Sequence, residues 1–532
     1  AAKSALAALL LCGGIQAECP GLAGLKLRRG VNTRALGRHV PLPTRVTSQG
    51  RRMGMRRKGL APRAESLAGL PDFLPYPSLA SAKETVTWIE GRGMPGQVVN
   101  PSMFGDQLRL VAAKDVPKGE PVLTIPSSAC ITRDDVDKDP MLSKLTKGQD
   151  TITALALWIM KERALGEDSE WSPYFKTLPL FTYSPITWTP QERATYLRGS
   201  FVLREANQRV EALEAKWINL AKIINDNDET FGSLRSELTL QSFLDAFSVV
   251  LAHSVTLENA NQIALVPLAE FLPRIYTPKE VKDKKEFRMD YDPSLDAVTL
   301  LCSSEVKQGS ELYISEEYGL SNSELLLSRG LVKENNDEDF IPIEANIVMA
   351  DVLYGAKKEI LQAYGFGENH KFVVYRDRLP LELLSYLRLS RLSNTDDLLK
   401  LNFEVDKAVS EMNEYEILQL LLSEARTISG GFAAPDQDTD RFILRNPETT
   451  IPAKLGAVLR MGEKQVISSF MDAVRTRLAP IRGIPTKKGM ENQNQEIIDM
   501  FDTFESIPKA PQKLVKDLKD WWTDENNWKD QD

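Results

Sequence analysis

The sequence predicts an α+β protein in two parts: a β-rich domain interrupted by a helical insert, followed by an all-α domain. Three observations carry this. Leu108-Arg-Leu-Val-Ala112 and the stretch from Asp115 to Pro126 read as two strands around a Lys118-Gly119 turn, and Leu312-Tyr313-Ile314 is a third short apolar run. Between them, residues 145–260 are helical in pattern: Leu155, Trp158 and Ile159 share one face, as do Val210, Leu213, Trp217 and Leu220, spaced three and four apart. Beyond about residue 335 the pattern changes to long amphipathic helices, read at 343–365, 380–390, 405–428 and 451–478, with almost no β patterning.

The totals suit two or three domains with full cores. The chain has 532 residues, 42% hydrophobic and 26% charged, with a net charge of −8. That charge hides an asymmetry. Residues 1–70 hold thirteen Lys and Arg against two acids, Glu18 and Glu65, which leaves 53 basic and 72 acidic residues in the remainder. A body this acidic is a poor match for a phosphate backbone, so direct nucleic-acid binding is not expected. The longest apolar run, Ala5 to Cys12, is far short of the roughly 20 residues that a membrane helix needs. The cysteines are Cys12, Cys19, Cys130 and Cys302, and the histidines His39, His253 and His370. They assemble no zinc cluster at normal spacing, and Cys130 and Cys302 read as free core residues.

Residues 1–70 read as a targeting presequence. Lys3 and the apolar run after it resemble a signal-peptide start, with Gln16-Ala17-Glu18 as a cleavage site. The Arg-rich, acid-poor stretch that follows suits a transit peptide. The two in series form the pattern of bipartite plastid targeting; a one-step chloroplast or mitochondrial transit peptide is the alternative, and a basic arm a third. At the other end, residues 483–532 form an acidic tail with Phe501, Phe504, Trp521, Trp522 and Trp528, low in hydrophobicity. Such a tail either docks onto a partner or packs back on its own helical domain.

In the body, Ser78 to Glu90 reads as a first amphipathic helix. Gly91-Arg-Gly-Met-Pro-Gly96 matches G-x-G-x-x-G but is a turn, since it follows a helix and Pro95 disturbs the N–H array that a pyrophosphate needs. Residues 307–331 hold a turn at Lys307-Gln308-Gly309-Ser310, the strand at Leu312-Tyr313-Ile314, and a helix start. There Ser321 and Glu324 form a capping box ahead of Leu325, Leu326 and Leu327.

The last stretch resembles the carboxyl-terminal half of a SET domain, and is most similar to the Rubisco large-subunit methyltransferase family. Gly309, Glu311, Ile314, Ser315, Ser321, Asn322, Glu324, Leu325, Leu326 and Gly330 fall in step with that family's motif. Further matches are Asp115, Gly119, Glu120, Leu123, Ile125 and Pro126 in the opening strands, Trp171-Ser-Pro-Tyr-Phe175 with Leu178-Pro179, and the run from Val266 to Phe271. Leu387-Arg388-Leu389 and Gly462-Glu463-Lys464 match in the helical part. The resemblance covers about residues 80–480. It implies a SET domain at 75–335 with an insert at about 140–260, then an α-helical substrate-binding-like domain at 336–482. It also implies S-adenosylmethionine as cofactor and a protein lysine as methyl acceptor.

The residues that do that chemistry in the family are replaced here. Its glycine-rich cofactor loop falls on Asp106-Gln107-Leu108-Arg109-Leu110, so both glycines are gone. Its Asn-His cofactor pair falls on Pro273-Arg274, where proline offers no amide side chain and arginine repels a sulfonium. Its two tyrosines fall on Glu316 and Arg329, with Leu331 in place of a phenylalanine, and a family arginine falls near His253. A carboxylate beside the target amine favours the amine's charged, unreactive form. Two readings follow. In the first, methyl transfer is lost or weak and the protein acts as a binding or assembly factor in a plastid, through its helical domain and tail. In the second, an active lysine methyltransferase uses Tyr318 as the catalytic tyrosine. The first expects Arg109 and Arg274 to intrude on the cofactor groove.

Overall fold

The computed structural model describes residues 77–482, except 97, 105–106, 276–285, 316–318 and 434–435. The presequence, the tail, and the three site positions Asp106, Glu316 and Tyr318 therefore lie outside the described residues.

Helix α1 (Leu79–Glu90) starts where the Ser78 hydroxyl accepts from the Ser81 N–H, and it buries Ala82, Thr85 and Ile89. Strands β1 (Val99–Phe104) and β2 (Gln107–Ala112) pair antiparallel, Val99 opposite Ala112. Strand β3 (Pro121–Pro126) pairs elsewhere, with β9. The opening hairpin is thus β1–β2, not the pair expected around Lys118-Gly119. That turn does connect β2 to β3, but it sends the chain to another sheet.

A short strand, β4 (Ile131–Thr132), leads into the insert of α2 (Thr151–Leu165), α3 (Val202–Asp226) and α4 (Leu240–His253). Helix α2 is buried from Ile152 to Met160 on nearly every side, as an apolar helix inside a core must be. Trp217 of α3 stacks on Phe243 of α4, ring centres 5.5 Å apart. Trp171 meets Trp88 and Trp158 edge-on, both at 5.3 Å, and the Arg92 guanidinium lies over Trp88 and Trp171.

After the insert come β5 (Val255–Leu257), β6 (Gln262–Leu265), β7 (Arg274–Ile275), β8 (Phe287–Asp292), β9 (Ala297–Cys302) and β10 (Ile314–Ser315). The sheets have the orders β4-β6-β5 and β3-β9-β8, and β10 lies parallel to β7. Residues 306–315 are threaded between distant strands. Val306 bridges to Val116, the Leu312 N–H donates to the Leu110 carbonyl at 2.9 Å, and the Ile314 N–H donates to the Pro273 carbonyl at 2.9 Å. Helix α5 (Asn322–Arg329) then begins at the expected capping box: Ser321 N–H donates to Glu324 Oε2 at 2.8 Å, and Glu324 N–H to Ser321 Oγ at 3.3 Å. Cys130 and Cys302 are buried free thiols.

The remaining elements are β11 (Phe340–Asn346), α6 (Tyr354–Ala363), β12 (Asn369–Tyr375), α7 (Leu381–Ser390), α8 (Glu411–Gly431), α9 (Asp438–Arg445) and α10 (Ile451–Ile481). The helix expected at 343–365 is in fact strand β11, a loop, and the shorter α6. Ile341, Ile343 and Ala345 alternate inward, a period of two, while Ile343 and Ile347, four apart, also fit a helix. Pairing with β12, from Phe340 opposite Tyr375, decides in favour of the strand. The helix expected from Val405 begins at Glu411, where the Ser410 hydroxyl accepts from Asn413 N–H.

Helix α10 seats the helical part on the β-rich part through buried polar contacts. Ser200 Oγ donates to Glu463 Oε1 at 2.6 Å, while Asn322 N–H and Nδ2 donate to the two oxygens of Asp339 at 2.7 and 2.9 Å. A Cβ on Gly462 would lie 2.0 Å from Asp339 Oδ2, so any side chain there would push Asp339 off its place. Burial, helped by the Asp339 and Glu205 carboxyls, pushes the Glu463 carboxyl up to about 8 against the opposing pull of Ser200 and Arg460. Burial likewise raises Asp339 to about 6. Both carboxyls therefore hold a proton that the unfolded chain loses near 4.5 or below. Their contribution is full below the unfolded values and is lost as pH rises through about 6 for Asp339 and about 8 for Glu463. In Glu463→Gln the second of these losses should vanish. Melting temperatures of the two proteins should diverge in the variant's favour progressively between about pH 5 and pH 8 and stay apart above that, and curves parallel across the whole range would contradict the assignment.

Candidate functional site

A cavity of about 230 Å³ opens where β2, the end of α4 and the end of α5 converge. Leu108, Arg109, Thr177, His253, Glu270 and Arg329 are among its lining residues. Each is placed by its element. Leu108 and Arg109 are neighbours on β2, so the pleat buries the leucine and leaves the arginine half-buried. His253 is the last residue of α4 and Arg329 the last of α5. After Arg329, Gly330 turns the chain in the left-handed region, φ 69°, and Leu331 follows into the cavity wall.

The guanidinium groups are held by backbone carbonyls. Arg329 Nη1 donates to the carbonyls of Ala252 and, at 3.2 Å, Leu251. Arg274 Nη2 donates to the Ser254 carbonyl at 3.0 Å. All three acceptors lie at the carboxyl end of α4, where carbonyls lack helical partners and the helix dipole favours a cation. Arg109 Nη1 donates to the Leu108 carbonyl at 3.2 Å, Nη2 to Gln107 Oε1, and Nε lies 3.4 Å from Glu311 Oε1. Arg163 Nη2 and Nη1 donate to the carbonyls of Pro179 and Leu180 at 2.6 and 2.8 Å, fixing the turn on the far wall.

Burial, helped at His253 by the arginines, sets the titration of the neighbouring groups. Burial, then the charges of Arg274, Arg329 and Arg163, bring His253 down to about 3, so its imidazole is neutral at any physiological pH. Burial raises the Glu270 carboxyl to about 7. Thr177 Oγ1 donates to Glu270 Oε1 at 2.5 Å. The backbone N–H groups of Leu268 and Glu270 pull the other way, but Glu270 Oε2 is buried with no donor or acceptor at hydrogen-bond distance.

Of the residues singled out in the sequence, Leu108, Arg109, His253, Arg329 and Leu331 meet at this cavity. Pro273 and Arg274 do not line it. The Pro273 carbonyl accepts from Ile314, and the Arg274 guanidinium, expected in the groove, is turned onto the Ser254 carbonyl instead. Sequence reasoning treated Glu270 only as framework and gave Thr177 no part. The available signal was an acid set in the apolar run Val266-Pro-Leu-Ala-Glu-Phe271. Among the described residues no group of His, Cys, Asp and Glu side chains could hold a metal ion, and no helix is long and apolar enough to cross a membrane.

The fold and the place of the cavity define a SET domain joined to a helical domain. Residues 349–467 match the Rubisco LSMT substrate-binding family model. The crystal structure of the SET domain of LSMT bound to lysine and AdoHcy superposes with a TM-score of 0.62 at 22% identity, covering 82% of this chain and 98% of that one. The structure of Rubisco LSMT bound to AdoMet gives the same TM-score at 21% identity. The chain thus has the fold of the LSMT SET-domain structures and carries a Rubisco LSMT substrate-binding-like domain, so it is similar to that group of proteins. Among curated relatives, the chloroplastic [fructose-bisphosphate aldolase]-lysine N-methyltransferase of Arabidopsis thaliana is 26% identical over 73% of this chain and 82% of its own length. The chloroplastic Rubisco large-subunit N-methyltransferase of Nicotiana tabacum is 24% identical over 71% and 78%. The actin-histidine N-methyltransferase of Homo sapiens is also 24% identical, over 75% and 67%.

Proposed function

We propose that this chain keeps the methyltransferase scaffold as a protein-binding or assembly factor, with methyl transfer lost or weak, and that it acts in a plastid. One observation carries the reading. Guanidinium groups fall where the resemblance puts a cationic cofactor and a reacting tyrosine: Arg109 and Arg329 line the cavity, and Arg274 is bonded to the Ser254 carbonyl at the end of α4. Two like charges 4 Å apart repel by about 4 kcal/mol at the effective dielectric of a partly buried site, so these guanidinium groups disfavour a sulfonium. The residues present therefore do not suit S-adenosylmethionine. The helical domain offers surface for a protein partner. Val348, Met349 and Val352, between β11 and α6, are 64%, 80% and 96% exposed, and the acidic tail supplies further aromatic residues. The limits proposed for the two domains are 75–335 and 336–482. The plastid location rests on the transit-like presequence and on the chloroplastic relatives.

A second reading is favoured by the relatives themselves, which are methyltransferases of protein lysine or histidine. In it the chain is an active S-adenosylmethionine-dependent protein-lysine methyltransferase of a plastid protein, with Tyr318 as its tyrosine. Calorimetry of the full chain with S-adenosylmethionine separates the two. We expect no saturable heat up to millimolar cofactor, and binding near micromolar affinity would overturn the first reading. If binding occurs, Tyr318→Phe should reduce transfer at least a hundredfold; an unchanged rate would remove Tyr318 from the reaction.

A further inference from the structure

We propose that the cavity between β2 and the ends of α4 and α5 binds a small oxyanion, a ligand bearing a carboxylate or phosphate group. The inference rests on the displacement of the family cofactor, but it gives the remodelled site a ligand of its own. Charge is the first argument. Arg109 and Arg329 line the cavity, and Arg163 and Arg274 stand behind its walls, while Glu270 is the one acid among the described lining residues. Glu311 offsets Arg109 only from the rim, where its side chain is 44% exposed.

The state of Glu270 is the second argument. Its Oε1 accepts from Thr177, whereas Oε2 is buried and has no partner. A buried polar atom left this way is rare in a native fold and points to a missing partner. With its pKa raised to about 7, the group carries a proton below neutrality and can donate it in a hydrogen bond to a ligand oxygen. Thr177 and Tyr174 face Glu270 from the preceding turn, Tyr174 as a buried phenol held neutral, and neutral His253 shares the cavity with it. A protonated acid beside two guanidinium groups is a donor set for an oxyanion. Size is the third argument. About 230 Å³ is several times the roughly 30 Å³ of one water, yet below the ~300 Å³ at which pockets for larger organic ligands begin.

The test is calorimetry of the full chain at pH 6.5 in low-chloride buffer, with malonate and inorganic phosphate as separate probes and S-adenosylmethionine in parallel. We expect saturable binding of at least one anion, tighter for the one whose geometry the site prefers. Arg109→Met should weaken it at least tenfold, and raising the pH to 8.5, where Glu270 ionises, should weaken it severalfold. Arg329→Met serves as a second variant wherever circular dichroism shows it folded. No saturable heat with either anion overturns the proposal, as does binding indifferent to Arg109→Met. If neither anion nor S-adenosylmethionine binds, this proposal falls while the loss of the cofactor stands. If only S-adenosylmethionine binds, both fall.

Discussion

Replacing Arg388 with methionine will destabilise the helical domain by about 3–5 kcal/mol, read as an earlier transition in urea unfolding followed by circular dichroism. Arg388, on α7, is fully buried. Its Nε and Nη2 form a two-pronged contact with Glu414 of α8 at 2.8 and 2.9 Å, and Nη2 also reaches Asp406 Oδ1 at 2.8 Å. Arg477 of α10 completes the cluster through Asp406, at 2.7 Å. The arginine thus ties three helices, and removing it leaves the buried Glu414 carboxylate with only the longer contact to Arg477, 3.8 Å away, so most of what offsets its desolvation is lost. The double variant Arg388→Met with Glu414→Leu removes both charges and should recover most of the loss. If the single variant is as stable as the parent, the cluster is not what joins these helices.

Gly330→Ala will be costly for a different reason, with an expected loss of more than about 3 kcal/mol. The glycine sits at φ 69°, where any side chain costs about 1–2 kcal/mol. A Cβ there would also lie 2.6 Å from the backbone nitrogens of both Tyr183 and Ser184. Backbone cannot swing away as a side-chain tip can, so α5 or the 183–184 segment must shift, taking Arg329 and Leu331 out of register with the cavity. Gly309→Ala is the matched control. Its φ is 79°, but nothing lies within 4 Å of the added atom, so only the strain of about 1–2 kcal/mol should appear. Equal losses in the two variants would contradict the close packing at Gly330.

Features governed by near neighbours were legible in the sequence. The capping box at Ser321 and Glu324 and the start of α1 at Ser78 involve residues three apart, and both form as expected. Helix α3 followed from apolar spacing, because packing buries the stripe that the spacing defines. What was not legible depends on distant partners. Nothing local says that β2 pairs back to β1 while β3 crosses to β9, some 170 residues on. The same limit applied at the site. That Arg329 falls where the resemblance puts a tyrosine was visible, but its guanidinium settles on carbonyls 77 and 78 residues away, which only the fold brings near. Gly462-Glu463-Lys464, noticed as a motif, turns out to be contact chemistry. Gly462 admits Asp339, Glu463 accepts from Ser200, and Lys464 donates to Asp440 at 2.7 Å.

The threading of residues 306–315 between β2 and β7 also sets the order in which the chain can be assembled. The Leu110–Leu312 bond closes a loop of about two hundred residues, and that closure entropy must be met before the contact gives any return. Helices α2 to α4 share one core cluster made largely of their own residues, and can begin to pack while the chain is still emerging from the ribosome. The β10–β7 pair and the contact of residue 312 with β2 wait until residue 315 is made. Until then β2 and β7 present open edges to solvent, so the interval before threading is when this protein is most exposed to aggregation and to chaperones.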